Sequence, residues 1–264
     1  MTILVTTLVI AVIGIVVGAG LVYTGKKFEV KVDERESAVR EVLPGNNCGA
    51  CGFAGCDAMA AAIAKGEAPV GGCPIGGASA ARKIASIMGV DADAVERKVA
   101  FVRCAGSCEV THNQGNYVGV MDCRSAVLSG LNVTDCAFGC LGFGSCAAVC
   151  PQNAIQVKDG VAIVNRKKCV GCGLCVKACP KGLIELVPES KRVSVRCSNH
   201  DRGPLVKKVC AVGCIGCGVC TRQCEHDAIH VEASLAHVDY AKCVQCGKCV
   251  EKCPAKVITQ PAAS

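Results

Sequence analysis

Cysteine is the residue type in this chain that could do chemistry, and its spacing is that of metal ligands. The sequence has 264 residues, of which 25 are cysteine. Residues 169–180 and 243–254 both have the pattern Cys-x2-Cys-x2-Cys-x3-Cys-Pro. In proteins that hold two [4Fe-4S] clusters, this run gives three thiolates to one cluster and its fourth to the other. The pattern therefore predicts iron-sulfur clusters, and thiols so close in sequence argue against a disulfide framework.

Each run has cysteines upstream that complete it, so the sequence predicts two tandem ferredoxin-type modules with exchanged fourth ligands. The later module contains two complete sets, which are Cys214, Cys217, Cys220 and Cys253, and Cys243, Cys246, Cys249 and Cys224. The earlier module contains one complete set, which is Cys150, Cys169, Cys172 and Cys175. We expect a [4Fe-4S] cluster at each of these sets.

The remaining set of the earlier module lacks a ligand. Cys140, Cys146 and Cys179 are present, but Phe143 occupies the position where the second cysteine is expected. The site is therefore predicted either to hold a [3Fe-4S] cluster or to recruit another ligand such as Cys136.

Several cysteines lie outside these sets and are possible further ligands, namely Cys104, Cys108, Cys123, Cys136, Cys197 and Cys210. An internal repeat relates Cys104 to Cys197 and Cys136 to Cys210, because each pair has the same place in the two modules. One hypothesis places a further cluster on Cys104, Cys108, Cys123 and Cys136. For Cys197 and Cys210, buried free thiols are the alternative to ligands.

Four more cysteines precede the modules with unequal gaps, in the order Cys48-x2-Cys51-x4-Cys56-x16-Cys73. Glycines interleave with the first three, which lets the backbone wrap closely around a bulky group. Structural zinc sites usually consist of two short ligand pairs, so this spacing favours a [4Fe-4S] cube over zinc. In total we expect about four to six [4Fe-4S] clusters in the chain.

The elements that must position these ligands follow from the rest of the sequence. Residues 2–22 carry no charge and are long enough for a helix to cross a bilayer, and the lysines at 26 and 27 keep the later residues in the cytoplasm. We expect an α+β chain whose modules are pseudo-twofold strand–helix–strand repeats. Its expected parts are a transmembrane anchor (1–25), a juxtamembrane linker (26–45), a small helical four-Cys domain (46–100), a Cys-rich insert with the first module (101–192) and the second module (193–264).

The formal net charge of +7 does not indicate a nucleic-acid partner. Each oxidised cube with four thiolates carries about −2, so five clusters would bring the total to about −3. Aromatic residues, which stack on bases in nucleic-acid proteins, make up only 3% of the chain. No dinucleotide-binding glycine motif or histidine metal motif is present, so we expect no independent catalytic site and no cofactor beyond the clusters.

The order of these parts resembles the B subunit of the Rnf complex. An apolar segment precedes Asn46-Asn47-Cys48-Gly49-Ala50-Cys51-Gly52-x-x-Gly55-Cys56 and Cys73-Pro74, and then come Gly139-Cys140-Leu141-Gly142 and the paired ferredoxin runs. The resemblance covers nearly the whole chain. The presence of two ferredoxin modules is similar to the long form in anaerobes, whereas the short form that reduces a redox sensor usually carries one.

The resemblance implies an electron-transfer subunit of a membrane-bound enzyme complex that oxidises reduced ferredoxin, reduces NAD on another subunit and moves Na⁺ or H⁺. The implied partners are soluble ferredoxin and flavin-bearing, NAD-binding and integral membrane subunits. The implied location is the cell membrane, with a single span and the clusters on the cytoplasmic side. Chain order favours electron entrance at the second module and exit through the four-Cys domain.

Basic residues beside the modules have two explanations. Arg166, Lys167 and Lys168 form one group, and Lys207 and Lys208 form another. They could steer an acidic ferredoxin, or they could be solvated charges that offset the clusters.

Two other functions stay open on the sequence. One is a ferredoxin-like subunit of a different membrane oxidoreductase, such as a hydrogenase or formate system. The other is a cluster or zinc scaffold without a redox role.

Overall fold

The computed structural model describes residues 2–27, 33–91, 96–111, 117–130 and 134–260. The helices are α1 Thr2–Lys27, α2 Glu34–Val42, α3 Cys56–Ala64, α4 Gly77–Met88, α5 Cys123–Leu128, α6 Ser145–Ala148, α7 Leu174–Ala178, α8 Gly203–Val209, α9 Val219–Arg222 and α10 Lys248–Glu251. The strands are β1 Lys98–Val102, β2 Ile155–Lys158, β3 Val161–Val164, β4 Ile184–Pro188, β5 Ser194–Val195, β6 Ile229–Glu232, β7 Leu235–Val238 and β8 Ile258–Thr259. Helices and strands together confirm the α+β class.

The apolar N-terminal run forms α1, a helix of 26 residues. The described side chains of residues 11–24 are exposed. In the described part of the chain, no helix combines the length and apolar character that a membrane span requires. The anchor at 1–25 therefore stays a prediction.

Helices α2, α3 and α4 form the small domain that carries the first four cysteines. Val39, Met59, Ile63 and Ile84 are fully buried in one apolar cluster between them. The alanine-rich sequence of α3 allows close packing because its side chains are small, and α4 ends at Gly89, whose left-handed φ of 67° terminates the helix. This packing holds the cysteine loop of residues 47–56 against the start of α3.

The two ferredoxin-type modules repeat one arrangement. In the first, β1 pairs with β4 and β2 pairs with β3, both antiparallel. In the second, β5 pairs with β8 and β6 pairs with β7 in the same way. Each half of a module has a short helix before its second strand, and the first halves carry one more helix each, α5 and α8. The predicted pseudo-twofold repeat is therefore confirmed. The cores of both modules mix aliphatic side chains with buried cysteines, as expected of a chain poor in aromatic residues.

The two modules are joined by hydrogen bonds. The guanidinium of Arg196 donates to the carbonyl of Cys104 at 3.2 Å, and the hydroxyl of Ser198 donates to the carbonyl of Arg103 at 3.1 Å. On the other side, the amide of Ala211 donates to the carbonyl of Val110 at 3.0 Å. The segment after β1 in the first module is therefore packed directly against its repeat partner after β5.

Candidate metal centres

In the described ranges, five cavities are each lined by four cysteine side chains. Three of them contain the complete sets that the sequence predicts. We name these site 2 (Cys150, Cys169, Cys172, Cys175), site 5 (Cys214, Cys217, Cys220, Cys253) and site 6 (Cys224, Cys243, Cys246, Cys249). The exchange of the fourth ligand between the halves of a module is thus visible in how the side chains gather.

The incomplete set is completed by Cys123. We name site 3 the cavity that is lined by Cys123, Cys140, Cys146 and Cys179. Cys136, the example of a recruited ligand that the sequence offered, lines another cavity instead. Because four thiols surround site 3, the absence of a cysteine at position 143 no longer implies a three-iron cluster.

Helix α5 brings Cys123 to site 3 through hydrogen bonds with α6. Asp122 caps α5 by accepting from the amide of Ser125 at 2.9 Å, and it also accepts from the hydroxyl of Ser145 at 2.6 Å. The amide of Cys123 in turn donates to the same hydroxyl at 2.8 Å. Because Ser145 directly precedes Cys146, these bonds place the new ligand beside an expected one.

Phe143 packs against an aromatic ring, whereas Cys217, which has the same position in the second module, lines site 5. Its ring centroid lies 5.2 Å from that of Tyr117, which belongs to the same insert as α5. The insert has no counterpart in the second module, so no spacing rule could point to Cys123. The sequence indicates Cys123 in one way only: the module that lacks a cysteine at Phe143 also has an insert that contains additional cysteines.

The last cavity joins the two modules, and we name it site 4. It is lined by Cys104, Cys136, Cys197 and Cys210. This grouping differs from the hypothesis that put Cys104 and Cys136 with Cys108 and Cys123, because Cys197 and Cys210 take the place of the last two. The four cysteines are two pairs of repeat-related residues, so this site has the pseudo-twofold symmetry of the repeat itself.

Hydrogen bonds at site 4 follow the same symmetry. The amides of Gly106 and Asn199 donate to the sulfurs of Cys104 and Cys197 respectively, both at 3.4 Å. The side-chain amide of Asn199, a residue only 2% exposed, also donates to the sulfur of Cys136 at 3.5 Å. Gly106 stands at the position of Asn199 in the first module, so this extra bond occurs in one half only.

The N-terminal set, which we name site 1, consists of Cys48, Cys51, Cys56 and Cys73. The last three pack against the apolar cluster of α2, α3 and α4, whereas Cys48 is exposed. The side chain of Asn47 accepts from the amide of Cys56 at 2.7 Å and so closes the loop that carries the first three ligands.

Among the described residues, Cys108 alone of the cysteines belongs to none of the six sites. Its thiol is exposed. A Cβ at Gly160 would lie 2.5 Å from the Cys108 sulfur, and the left-handed φ of 77° at this position favours glycine.

The donor chemistry of the five cavities fits iron-sulfur cubes. Each offers four thiols and a predominantly apolar wall. Backbone amides point at ligand sulfurs, for example those of Ala154 and Ala228 at Cys150 and Cys224, both at 3.3 Å. Such N–H···S bonds stabilise cluster thiolates.

The thiols surround the cavities and do not meet at a point. Among the described residues, no group of three or more His, Cys, Asp or Glu is arranged to hold a single metal ion. A [4Fe-4S] cube bonds each thiolate through a different iron, so its ligands lie around a volume.

Burial keeps several of these thiols protonated when no cluster is bound. It raises the pKa of Cys146 to about 11 and that of Cys175 to about 12, and neighbouring thiols add to both shifts. Cluster assembly must therefore displace protons from these sites.

Each of the six sites adjoins the following one, and we call this series of neighbouring sites the row. Cys48 of site 1 is close enough to Cys172 of site 2 to add to the rise that burial causes in its pKa. Site 3 adjoins site 2 in the same way through Cys146 and Cys175. Sites 5 and 6 adjoin through Cys220, which adds to the burial-driven rise of the Cys249 pKa to about 11.

Site 4 connects the two halves of this row through backbone amides. The amide of Cys140 in site 3 donates to the sulfur of Cys104 in site 4 at 3.4 Å. The amide of Cys214 in site 5 donates to the sulfur of Cys197 in site 4, also at 3.4 Å. A ligand residue on each side is thus in direct contact with a ligand sulfur of the middle site.

Family models match the cluster-bearing parts of the chain. A model described as a "Putative Fe-S cluster" matches residues 43–75, which contain the ligands of site 1. A "4Fe-4S dicluster domain" model matches residues 135–183 and 213–257, and a second model with that description matches residues 168–229.

Relatives extend the similarity to almost the whole chain. The chain is 47% identical over 258 residues to the B subunit of the Na(+)-translocating ferredoxin:NAD(+) oxidoreductase complex of Acetobacterium woodii, with 97% of this chain and 78% of the relative covered. It is 40% identical over 251 residues to the B subunit of the ion-translocating oxidoreductase complex of Methanosarcina acetivorans, with 95% of each chain covered. It is 41% identical over 261 residues to the B subunit of the proton-translocating ferredoxin:NAD(+) oxidoreductase complex of Clostridium ljungdahlii, with 97% of this chain and 92% of the relative covered. The resemblance to the Rnf complex is thereby confirmed, and the chain belongs to the family of B subunits of ion-translocating oxidoreductase complexes.

Proposed function

We propose that the chain is the iron-sulfur electron-transfer subunit of a membrane-bound, ion-translocating ferredoxin:NAD⁺ oxidoreductase. It accepts electrons from reduced ferredoxin and passes them to other subunits of the complex, which carry flavin, bind NAD and span the membrane. The observation that carries this proposal is the series of five neighbouring cavities that are each lined by four cysteines, with the N-terminal cysteine set next to the first of them.

Each of the six sites holds one [4Fe-4S] cluster. The clusters supply one-electron redox chemistry when bound. The chain itself provides four thiolates a site, amides aimed at their sulfurs and apolar walls that limit water. Six clusters contribute roughly −12 to the charge, so the loaded protein carries about −5 instead of +7.

Electrons enter at site 6 and leave at site 1. Cys246 of site 6 is exposed, and so is the neighbouring Val244, which leaves a ligand open to a partner at that end of the row. Site 1 is the end of the row that follows α1 and α2 in the chain. We propose that residues 1–25 anchor this end in the cell membrane, with the clusters on the cytoplasmic side and the partner subunits next to site 1.

The row can be tested by breaking it at site 4. In the full chain loaded anaerobically with clusters, Cys197→Ser removes one ligand from site 4 and leaves the other five sets whole. Reduced ferredoxin should then reduce sites 5 and 6 at the normal rate, while reduction of sites 1 to 3 slows strongly. The measurement is rapid-mixing absorbance with freeze-quenched EPR, and Cys108→Ser is the matched control. Reduction of all remaining clusters at the wild-type rate would show that the sites do not work in series.

A further inference from the structure

The ligand runs of the two modules differ at several positions, and one of these lies between the first two ligands. The first run reads Cys169-Val170-Gly171-Cys172, and the second has Gln245 where the first has Gly171. Both positions have left-handed backbone, with φ of 69° at Gly171 and 64° at Gln245. Glycine adopts this conformation freely and glutamine does not, so the side chain of Gln245 must bring a compensating contact.

In the first module, the strand lies too close for any side chain at this position. A Cβ at Gly171 would stand 2.3 Å from the carbonyl oxygen of Lys98 in β1. The same strand donates the amide of Ala100 directly to the sulfur of Cys169 at 3.3 Å. Here the backbone itself supplies the hydrogen bond to the ligand.

In the second module, Gln245 lies between the strand and the ligand. The amide of Val193, the repeat partner of Ala100, donates to Oε1 of Gln245 at 2.7 Å, and the amide of Arg192 donates to the same oxygen at 2.6 Å. The Nε2 group of Gln245 then donates to the sulfur of Cys243 at 3.1 Å. Two backbone donors at one end of the amide fix its orientation, because only the oxygen can accept from them.

We propose that Gln245 is a positioning residue that raises the reduction potential of site 6 by relaying the strand's hydrogen bond to Cys243. A hydrogen bond to a cluster thiolate stabilises the more negative, reduced state more than the oxidised state. Reduction adds one electron, and the amide protons of Gln245 stay where they are. The inference rests on the proposed function. It explains why the second module, whose ligand Cys246 is exposed, has a non-glycine residue with left-handed backbone at position 245.

The test is an EPR-monitored redox titration of the full chain, loaded with clusters and kept anaerobic. Cys224→Ser removes a ligand of site 6, so the titration component that this variant lacks is the one that belongs to site 6. Gln245→Met keeps the side-chain volume and loses all three side-chain hydrogen bonds. Gln245→Glu keeps the acceptor for Val193 but replaces the donor to Cys243 with a charge. Gln156→Met is the matched control, since Gln156 is an exposed residue of β2 that lines none of the five cavities.

We expect the site 6 component to move to lower potential in both Gln245 variants, and further in the glutamate variant. A roughly tenfold loss of electron affinity corresponds to about 59 mV for one electron. The other components, and all components of Gln156→Met, should stay in place. An unshifted site 6 component in a Gln245 variant with wild-type iron content would overturn the role of Gln245. If no reducible component disappears in Cys224→Ser, the proposed function fails instead.

Discussion

At the scale of single residues, ligand identity depends on which side chains the fold gathers. Phe143 removes a thiol from one module half, and Cys123 replaces it from a separate helix. Cys108 and Cys123 both lie outside the repeat, and sequence spacing does not distinguish them. The structure distinguishes them, because Cys123 lines site 3 and Cys108 is exposed outside all six sites.

Replacing Cys123 should remove the fourth ligand of site 3. In Cys123→Ser we expect either a [3Fe-4S] signal in the oxidised protein or the loss of about four iron atoms per chain. Cys108→Ser changes the same chemical group outside the sites and should keep the full iron content. Metal analysis and EPR of the two variants decide the point, and equal iron content with identical spectra would contradict the assignment.

The repeat also predicts a rescue of that loss. Phe143 has the position of Cys217, which lines site 5. Adding Phe143→Cys to the Cys123→Ser variant should therefore restore a four-thiol set at site 3. Recovery of the [4Fe-4S] spectrum is the expected result. If the double variant remains as deficient as the single one, Cys123 is not equivalent to the missing ligand.

At the scale of elements, the regular parts of the site follow from sequence and the irregular parts do not. Sites 2, 5 and 6 were predictable because three ligands of each belong to one local run. The fourth ligand follows from a fixed rule of exchange between the two halves of a module. Site 4 was not predictable, because its ligands follow β1 and β5 in different modules, and only long-range packing brings them together. The position of α5 likewise depends on its contacts with α6, which no periodicity reveals.

The cap of α5 should therefore matter for site 3. Asp122→Ala removes the acceptor for Ser125 and for the hydroxyl of Ser145, so Cys123 is held less firmly. We expect site 3 to lose iron to a chelator earlier than the other sites do. Asp33→Ala is the matched control, because Asp33 caps α2 in the same way and lies in another domain. A time course of iron release with EPR checks this, and release as slow as in the control would contradict the role of the cap.

At the scale of the whole molecule, site 4 joins the two modules, because each module supplies two of its four cysteines. Removing the second module would also remove Cys197 and Cys210. Truncation would therefore leave site 4, which adjoins the first module, with only Cys104 and Cys136. Point substitutions at single sites are therefore the cleaner way to dissect the chain. The positive formal charge of the apo sequence is consistent with a protein built to carry several dianionic clusters.

Basic side chains on α8 give a prediction about association with ferredoxin. Lys207 and Lys208 lie on α8 next to Val206, which lines site 4. If they steer an acidic partner, Lys207→Gln with Lys208→Gln should slow reduction by ferredoxin and flatten its dependence on salt. Lys65→Gln with Lys83→Gln makes the same charge change on the four-Cys domain and serves as control. Unchanged stopped-flow rates across the salt series would show that the α8 lysines only offset cluster charge.

The central claim, six four-thiol cluster sites in one chain, is tested most directly by iron and sulfide analysis of the anaerobically purified full chain, together with its EPR spectrum. Six cubes predict about 24 iron and about 24 sulfide per chain, with no three-iron signal in the oxidised protein. A content of about 20 iron or fewer, or a three-iron signal that disappears in Cys146→Ser, would contradict the assignment.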